Sequence, residues 1–252
     1  LPSGAAGVRP GSPMSLEVVA ELPPGRSRER LLSRAAELLR HADSIDIPDA
    51  PLGQPAISSP IAAAMISAAL GAGERVVAHL RLMDVNELGA LNVAYGLSAA
   101  GVRRLVLLRG DRPAHGDPCE GSPERAAALI RSAGLGISIG HLLSLAKPLD
   151  EVMKRVASGA DFFLITRPWR SPLVAEVARA ARARGAKTYV YLVVRTPRNA
   201  DVLASIPREE IVEPGEVGDA VRMLAGSVDG VVISAPRDFE AQLRALRDAR
   251  AP

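Results

Sequence analysis

The sequence predicts an α/β fold closed as a single-domain (β/α)8 barrel of the TIM type, and three observations carry that expectation. Short β-branched runs alternate with longer Ala/Leu/Arg segments of helical period, eight of each. Strands that alternate with helices pair in parallel through right-handed crossovers. The 252 residues suit eight such units, for which ~250 residues is typical. An open doubly wound sheet is the competing arrangement, but no Gly-x-Gly-x-x-Gly follows the first strand.

Residues 1–13 carry Gly, Pro and Ser too densely for a strand or helix and precede Met14. They are set apart as an upstream extension or expression remnant, leaving 14–252 as the barrel, and no apolar segment reads as a signal peptide. Strands are expected at 16–22, 44–47, 75–82, 104–108, 136–141, 162–166, 187–194 and 230–234. The intervening helices are expected at 27–41, 60–70, 86–100, 123–132, 149–158, 171–184, 217–225 and 237–250. Ser59-Pro60, Ser122-Pro123 and Ser171-Pro172 supply helix starts, since proline suits the first helical position. Gly71, Gly101, Gly134, Gly159 and Gly185 supply helix ends.

Composition narrows the function classes. With 48% apolar and 23% charged residues, the chain can bury a large core. Arg, Asp, Pro or Gly interrupts every apolar run before the ~18 residues of a membrane span, so no membrane partner is expected. A net charge of +3 and 3% aromatic residues give little for nucleic acid to bind. Cys119 is the single cysteine, which fits neither an internal disulfide nor a Cys-x-x-Cys metal site and points to a reducing, cytoplasmic setting. Three Asn, two Gln and one Cys, a scarcity of thermolabile side chains, suit a thermophile, while 28 Arg against three Lys suits a GC-rich genome.

In a barrel, chemistry gathers where strands end. Glu21 precedes the apolar turn Leu22-Pro23-Pro24-Gly25, where desolvation raises a carboxyl pKa; general acid and rim ion pair are even readings. Ser58 and Ser59 close a proline-stiffened loop, where capping the next helix is commoner than holding an anion. His79 ends the third strand, with structural and ligand-binding uses level and no metal cluster beside it. Arg109-Gly110-Asp111 places a cation, a permissive backbone and a carboxylate on the rim after an apolar strand, which favours a ligand site over a bare ion pair.

Together these segments resemble the methylenetetrahydrofolate reductase family. The likeness runs through Glu21-Leu22-Pro23-Pro24-Gly25, Asp46-Ile47-Pro48-Asp49-Ala50-Pro51-Leu52-Gly53 with Ser59-Pro60, His79-Leu80, and Asp84-Val85-Asn86-Glu87-Leu88 through to Leu108-Arg109-Gly110-Asp111. Met153-Lys154-Arg155-Val156 leading into Phe162-Phe163 extends it, so residues 16–170 are covered well and the last third loosely. The resemblance implies a flavin-dependent oxidoreductase of the short, barrel-only prokaryotic kind in one-carbon metabolism and methionine biosynthesis. Reduced FAD or FMN would pass a hydride to the methylene carbon of methylenetetrahydrofolate or a related pterin. NAD(P)H or another electron donor would reduce the flavin.

By that resemblance Glu21 is the general acid and Asp111 lies beside flavin and pterin. His79, Arg109 and Gly110 contact flavin, Ser59 meets its ribityl or phosphate groups, and Lys154 and Arg155 face the cofactor phosphates. A solvated helix face is an equal reading of those two basic residues. Two departures are expected to matter. Arg167 stands where the family has a pterin-binding Gln, replacing an amide with a donor-only cation. The stretch from Gly140 to Pro148 is short and apolar for a flavin-binding loop, with His141 as the stand-in contact or a structural histidine. The alternatives are a pterin-binding methyltransferase-like barrel, a non-flavin partner subunit of a C1-transfer complex, or an interaction protein without catalysis. A homo-oligomer or an electron-donating partner protein is the expected association.

Overall fold

The structure, a computed structural model, describes residues 16–251; the segment 1–13 set apart above lies outside the described residues. Eight parallel strands alternate with eight α-helices and close in sequence order, β8 returning to β1. The elements are β1 Glu17–Glu21, α1 Arg28–Leu38, β2 Ser44–Ile47, α2 Ser59–Leu70, β3 Val76–Arg81, α3 Glu87–Ala99, β4 Arg104–Leu108 and α4 Pro123–Ser132. They continue with β5 Ser138–Ser144, α5 Leu149–Val156, β6 Phe162–Arg167, α6 Leu173–Arg182, β7 Lys187–Val193, α7 Val217–Leu224, β8 Gly230–Ser234 and α8 Phe239–Ala249. The expected (β/α)8 barrel is therefore observed. No helix among the described residues is long and apolar enough to cross a membrane.

Strand parity divides the core in two. Successive side chains point to opposite faces of a strand. One set therefore fills the barrel interior, as Val19, Val77, Val106, Phe162, Leu164, Tyr189, Tyr191 and Val232 do. The other set meets the helices, as Ile45, Ala78, Leu105, Leu107, Phe163, Val190 and Ile233 do. The interior is narrow enough to need glycine at two places: a Cβ on Gly140 would lie 2.3 Å from the Phe162 ring, and one on Gly230 would lie 2.5 Å from the Tyr189 ring. Phe162 in turn meets Tyr189 edge to face, centroids 6.2 Å apart, an attractive arrangement of ring quadrupoles.

The N-terminal end of the barrel is closed by polar bonds. Glu17 accepts from Ser44 Oγ at 2.7 Å, Arg104 Nη1 at 2.8 Å and the Tyr189 hydroxyl at 2.8 Å. Burial opposes its ionisation, but Arg104 and these bonds outweigh that and hold its pKa below the ordinary value. In this fold such an end serves stability, and the opposite end carries chemistry.

Candidate functional site

At the C-terminal end of the strands the same inward parity brings five polar side chains together. Glu21 and Asp46 are register partners on adjacent strands. His79 Nε2 lies 2.7 Å from Asp46 Oδ1, the Tyr191 hydroxyl donates to Asp46 Oδ2, and Ser234 Oγ donates to Glu21 Oε2. Asp46 and His79 are buried, so this pair meets away from water. Burial is the main cause that pushes the Glu21 carboxyl up to about 7; the Ser234 hydrogen bond opposes it, Asp46 adds to it and His79 opposes it. For His79, burial disfavours the cation, but the charge and hydrogen bond of Asp46, with Glu21 and Asp49, outweigh it and raise the pKa. Burial, Asp46 and Glu21 keep Tyr191 protonated far above its usual range.

A cavity of about 300 Å³ opens over this floor, its walls mostly apolar, including Pro48, Leu108, Leu142, Val193 and Ile206. That volume sits at the small end of ligand sites, ~300 to 1,000 Å³. Its roof is built by Arg81, which is fully buried. The guanidinium donates to Ala50 O and Asp111 O, both at 2.6 Å, and its Nε lies 2.9 Å from Asp84 Oδ2. One side chain thereby ties the β2–α2, β3–α3 and β4–α4 loops together. Gly110 makes room for it: φ is +86° there, and a Cβ would fall 3.0 Å from Arg81 Nε. Leu52 N donates to Asp111 Oδ2 at 3.1 Å and so joins two of these loops a second time.

Of the residues singled out in the sequence, Glu21, His79, Gly110, Asp111 and Arg167 line this one cavity. Arg167 ends β6 and is half exposed; Glu210 Oε2, 3.8 Å from its Nε, is its ionic neighbour. The remaining candidates lie elsewhere. Arg109 is exposed and is not among the cavity's lining residues. Ser59 is buried, its hydroxyl donating to Ile47 O at 2.6 Å and accepting from His79 N at 2.8 Å, so it positions His79 and has no free face for a cofactor. His141 is not in a loop: β5 runs on to Ser144, and His141 pairs in register with Leu107 and Phe163, both of the outer set. Its ring faces away from the barrel interior, with Nδ1 3.1 Å from Leu107 O, and burial lowers its pKa. Lys154 and Arg155 lie on α5 beside a separate groove of about 540 Å³, paired with Asp150 at 3.4 Å and Glu124 at 3.1 Å.

Sequence reasoning missed four members of the site: Asp46, Tyr191 and Ser234 on the floor and Arg81 in the roof. The available signal was a polar residue at inward parity near the end of an otherwise apolar strand, as in Ser44-Ile45-Asp46-Ile47.

No protein-family model matches the chain, and no curated protein matches it. Solved structures match its fold. A tryptophan synthase from M. tuberculosis, open form with BRD0059 bound, is 15% identical with a TM-score of 0.61, covering 94% of this chain and 93% of that one. The tryptophan synthase a2b2 complex of the hyperthermophile Pyrococcus furiosus gives 14% identity and a TM-score of 0.60, over 92% and 95% of the two chains. An E74A mutant of the P. furiosus alpha-subunit gives 12% and 0.61 over the same shares. At such identities the likeness establishes the barrel.

These findings correct the expected function. The neighbours are tryptophan synthases, not flavin-dependent reductases of pterins, and neither the family models nor the curated proteins support the reductase. The geometry agrees, because Ser59, His141, Lys154 and Arg155 cannot gather a flavin nucleotide around a cavity of about 300 Å³. The oxidoreductase class, FAD or FMN, NAD(P)H as donor and the pterin substrate are withdrawn. The pterin methyltransferase and the C1-complex partner subunit gain no support and go with them.

Proposed function

We propose that this barrel is an enzyme of general acid–base chemistry, of the lyase or isomerase kind, acting on a small anionic molecule held at the mouth of the barrel. One observation carries the reading: a partly buried carboxyl, Glu21, faces the cavity with its pKa pushed up to about 7. A group that titrates near the working pH both gives and takes a proton, which is the requirement for acid–base catalysis. Strongly shifted groups gather at functional sites, and this one sits in a cleft with named causes for its shift.

The neighbouring side chains fit that duty. Ser234 holds one carboxylate oxygen by its hydroxyl, which leaves the other to carry the proton. The Asp46–His79 pair beneath it is locked by Tyr191, a phenol that stays protonated and donates to Asp46. Its two charges act oppositely on Glu21, Asp46 raising and His79 lowering the pKa, and so tune where the carboxyl titrates. Arg167 lines the same cavity with a guanidinium no closer than 3.8 Å to its carboxylate neighbour. It is open to a bidentate bond with a substrate carboxylate or phosphate. The apolar walls exclude water and suit the carbon skeleton between the two polar ends.

The test uses a panel of small carboxylate- and phosphate-bearing carbon acids in D2O, followed by proton NMR. Wild-type protein should exchange or cleave at least one of them. Glu21→Gln should lose the reaction by roughly 100-fold or more while still binding the ligand. Arg167→Met should weaken binding with little change in the rate at saturation. A Glu21→Gln variant as active as wild type would overturn the proposal.

A further inference from the structure

A helix on the outside of a barrel keeps an apolar stripe toward the sheet and turns charged residues to water. Six of the eight helices obey this, as α1 does with Arg28, Glu29 and Arg30 exposed. The neighbours α2 and α3 do not. Their sequences, SPIAAAMISAAL and ELGALNVAYGLSA, hold one charge between them, Glu87, and that is turned aside to Arg125 of α4 at 2.9 Å. Outward positions that would carry Lys or Glu carry large apolar groups: Ile61 is 55% exposed, Leu88 67% and Tyr95 51%. Alanines, Gly96 and the uncharged amide of Asn92 fill the exposed positions between them, leaving a surface without charge.

We propose that the α2–α3 face is the interface with a second copy of this chain, joined about a twofold axis. A twofold interface brings a patch against itself. On a charged patch that sets like against like, whereas this one meets its copy without repulsion and without stranding an ion. An anionic lipid surface would require a basic face and finds none here. The size also suits. Helices of 12 and 13 residues are roughly 18 to 20 Å long, and at axial spacings of about 10 Å a pair spans about 400 Å² in projection. Side-chain relief brings the accessible area toward the ~800 Å² per partner of a stable interface.

Sedimentation equilibrium on the full chain from about 1 to 100 µM decides the matter. Wild type should be a dimer. Ile61→Glu and Leu88→Glu, each placing two carboxylates in the apolar interface, one from either copy, should weaken association by roughly 100-fold with an unchanged far-ultraviolet circular dichroism spectrum. Met223→Glu, at an equally exposed apolar position on α7, should leave the dimer intact. A wild-type monomer throughout the range, a dimer that survives both substitutions together, or equal loss in Met223→Glu would each overturn the assignment.

Discussion

Glu21 gives the chain a stability profile that an exposed glutamate would not produce. Burial is the largest cause that lifts its carboxyl from the ordinary 4.5 to about 7. At ~1.4 kcal/mol per pH unit, forcing that carboxyl to ionise costs the folded state roughly 3 kcal/mol. The unfolded chain releases the proton near 4.5 and the folded chain near 7, so between those values the native state binds more protons and stability falls as pH rises. The contribution is full below about 4.5 and lost as pH rises through about 7. Glu21→Gln removes the titration and keeps an amide oxygen to accept the Ser234 hydroxyl. Urea denaturation of both proteins between about pH 4 and pH 9 isolates the effect, because the titration of distant groups cancels in the difference. The variant should gain on wild type by about 3 kcal/mol across the window, or about 1 M in midpoint at a slope on the order of 3 kcal/mol/M. A difference flat to within about 0.5 kcal/mol would refute the claim that burial sets this group's pKa.

Three more outcomes follow from the packing. Gly140→Ala forces a methyl to 2.3 Å from the Phe162 ring, and urea unfolding should show a loss of roughly 2 to 3 kcal/mol. Arg104→Met leaves Glu17 without its cation at the closed end, where the pair is about four-fifths buried; the expected loss near neutral pH is about 1 to 3 kcal/mol. Because the folded Glu17 pKa is depressed, that stability is present above the unfolded value and disappears as pH falls through the folded one. Wild type and variant should therefore converge in acid, and a constant gap would reject the ion pair as the cause. Arg81→Met strands the carbonyls of Ala50 and Asp111 and frees three loops. Limited proteolysis should then cut first between residues 109 and 121, and wild-type resistance there would remove Arg81 from its role as a tie.

The barrel could be read from the sequence because its rules are local. Ser59-Pro60 and Ser122-Pro123 start helices where expected, and apolar runs such as Leu105-Val106-Leu107 mark strands buried on both faces. The fifth strand shows where that reading fails: Leu142-Leu143-Ser144 suits a loop or a strand equally, and only pairing with β6 extends β5 that far. His141 consequently looked like a loop ligand while its true parity turns it outward. The site was legible where a functional residue ends its own strand, as Glu21 and Arg167 do. Asp46, Tyr191 and Ser234 acquire meaning only through partners, and the bonds that join them span 145 residues from Tyr191 to Asp46 and 213 from Ser234 to Glu21. No local motif reports such a pair, yet parity does once the closure of the barrel is granted, because inward positions at the ends of neighbouring strands must meet. The chemistry was misread for a related reason. Short strand-end motifs such as Arg109-Gly110-Asp111 describe how loops are held at the mouth of a barrel, and Gly110 and Asp111 are explained here by the Arg81 guanidinium they accommodate and bind. A motif that a loop requires for its own packing carries no information about which molecule the loop encloses.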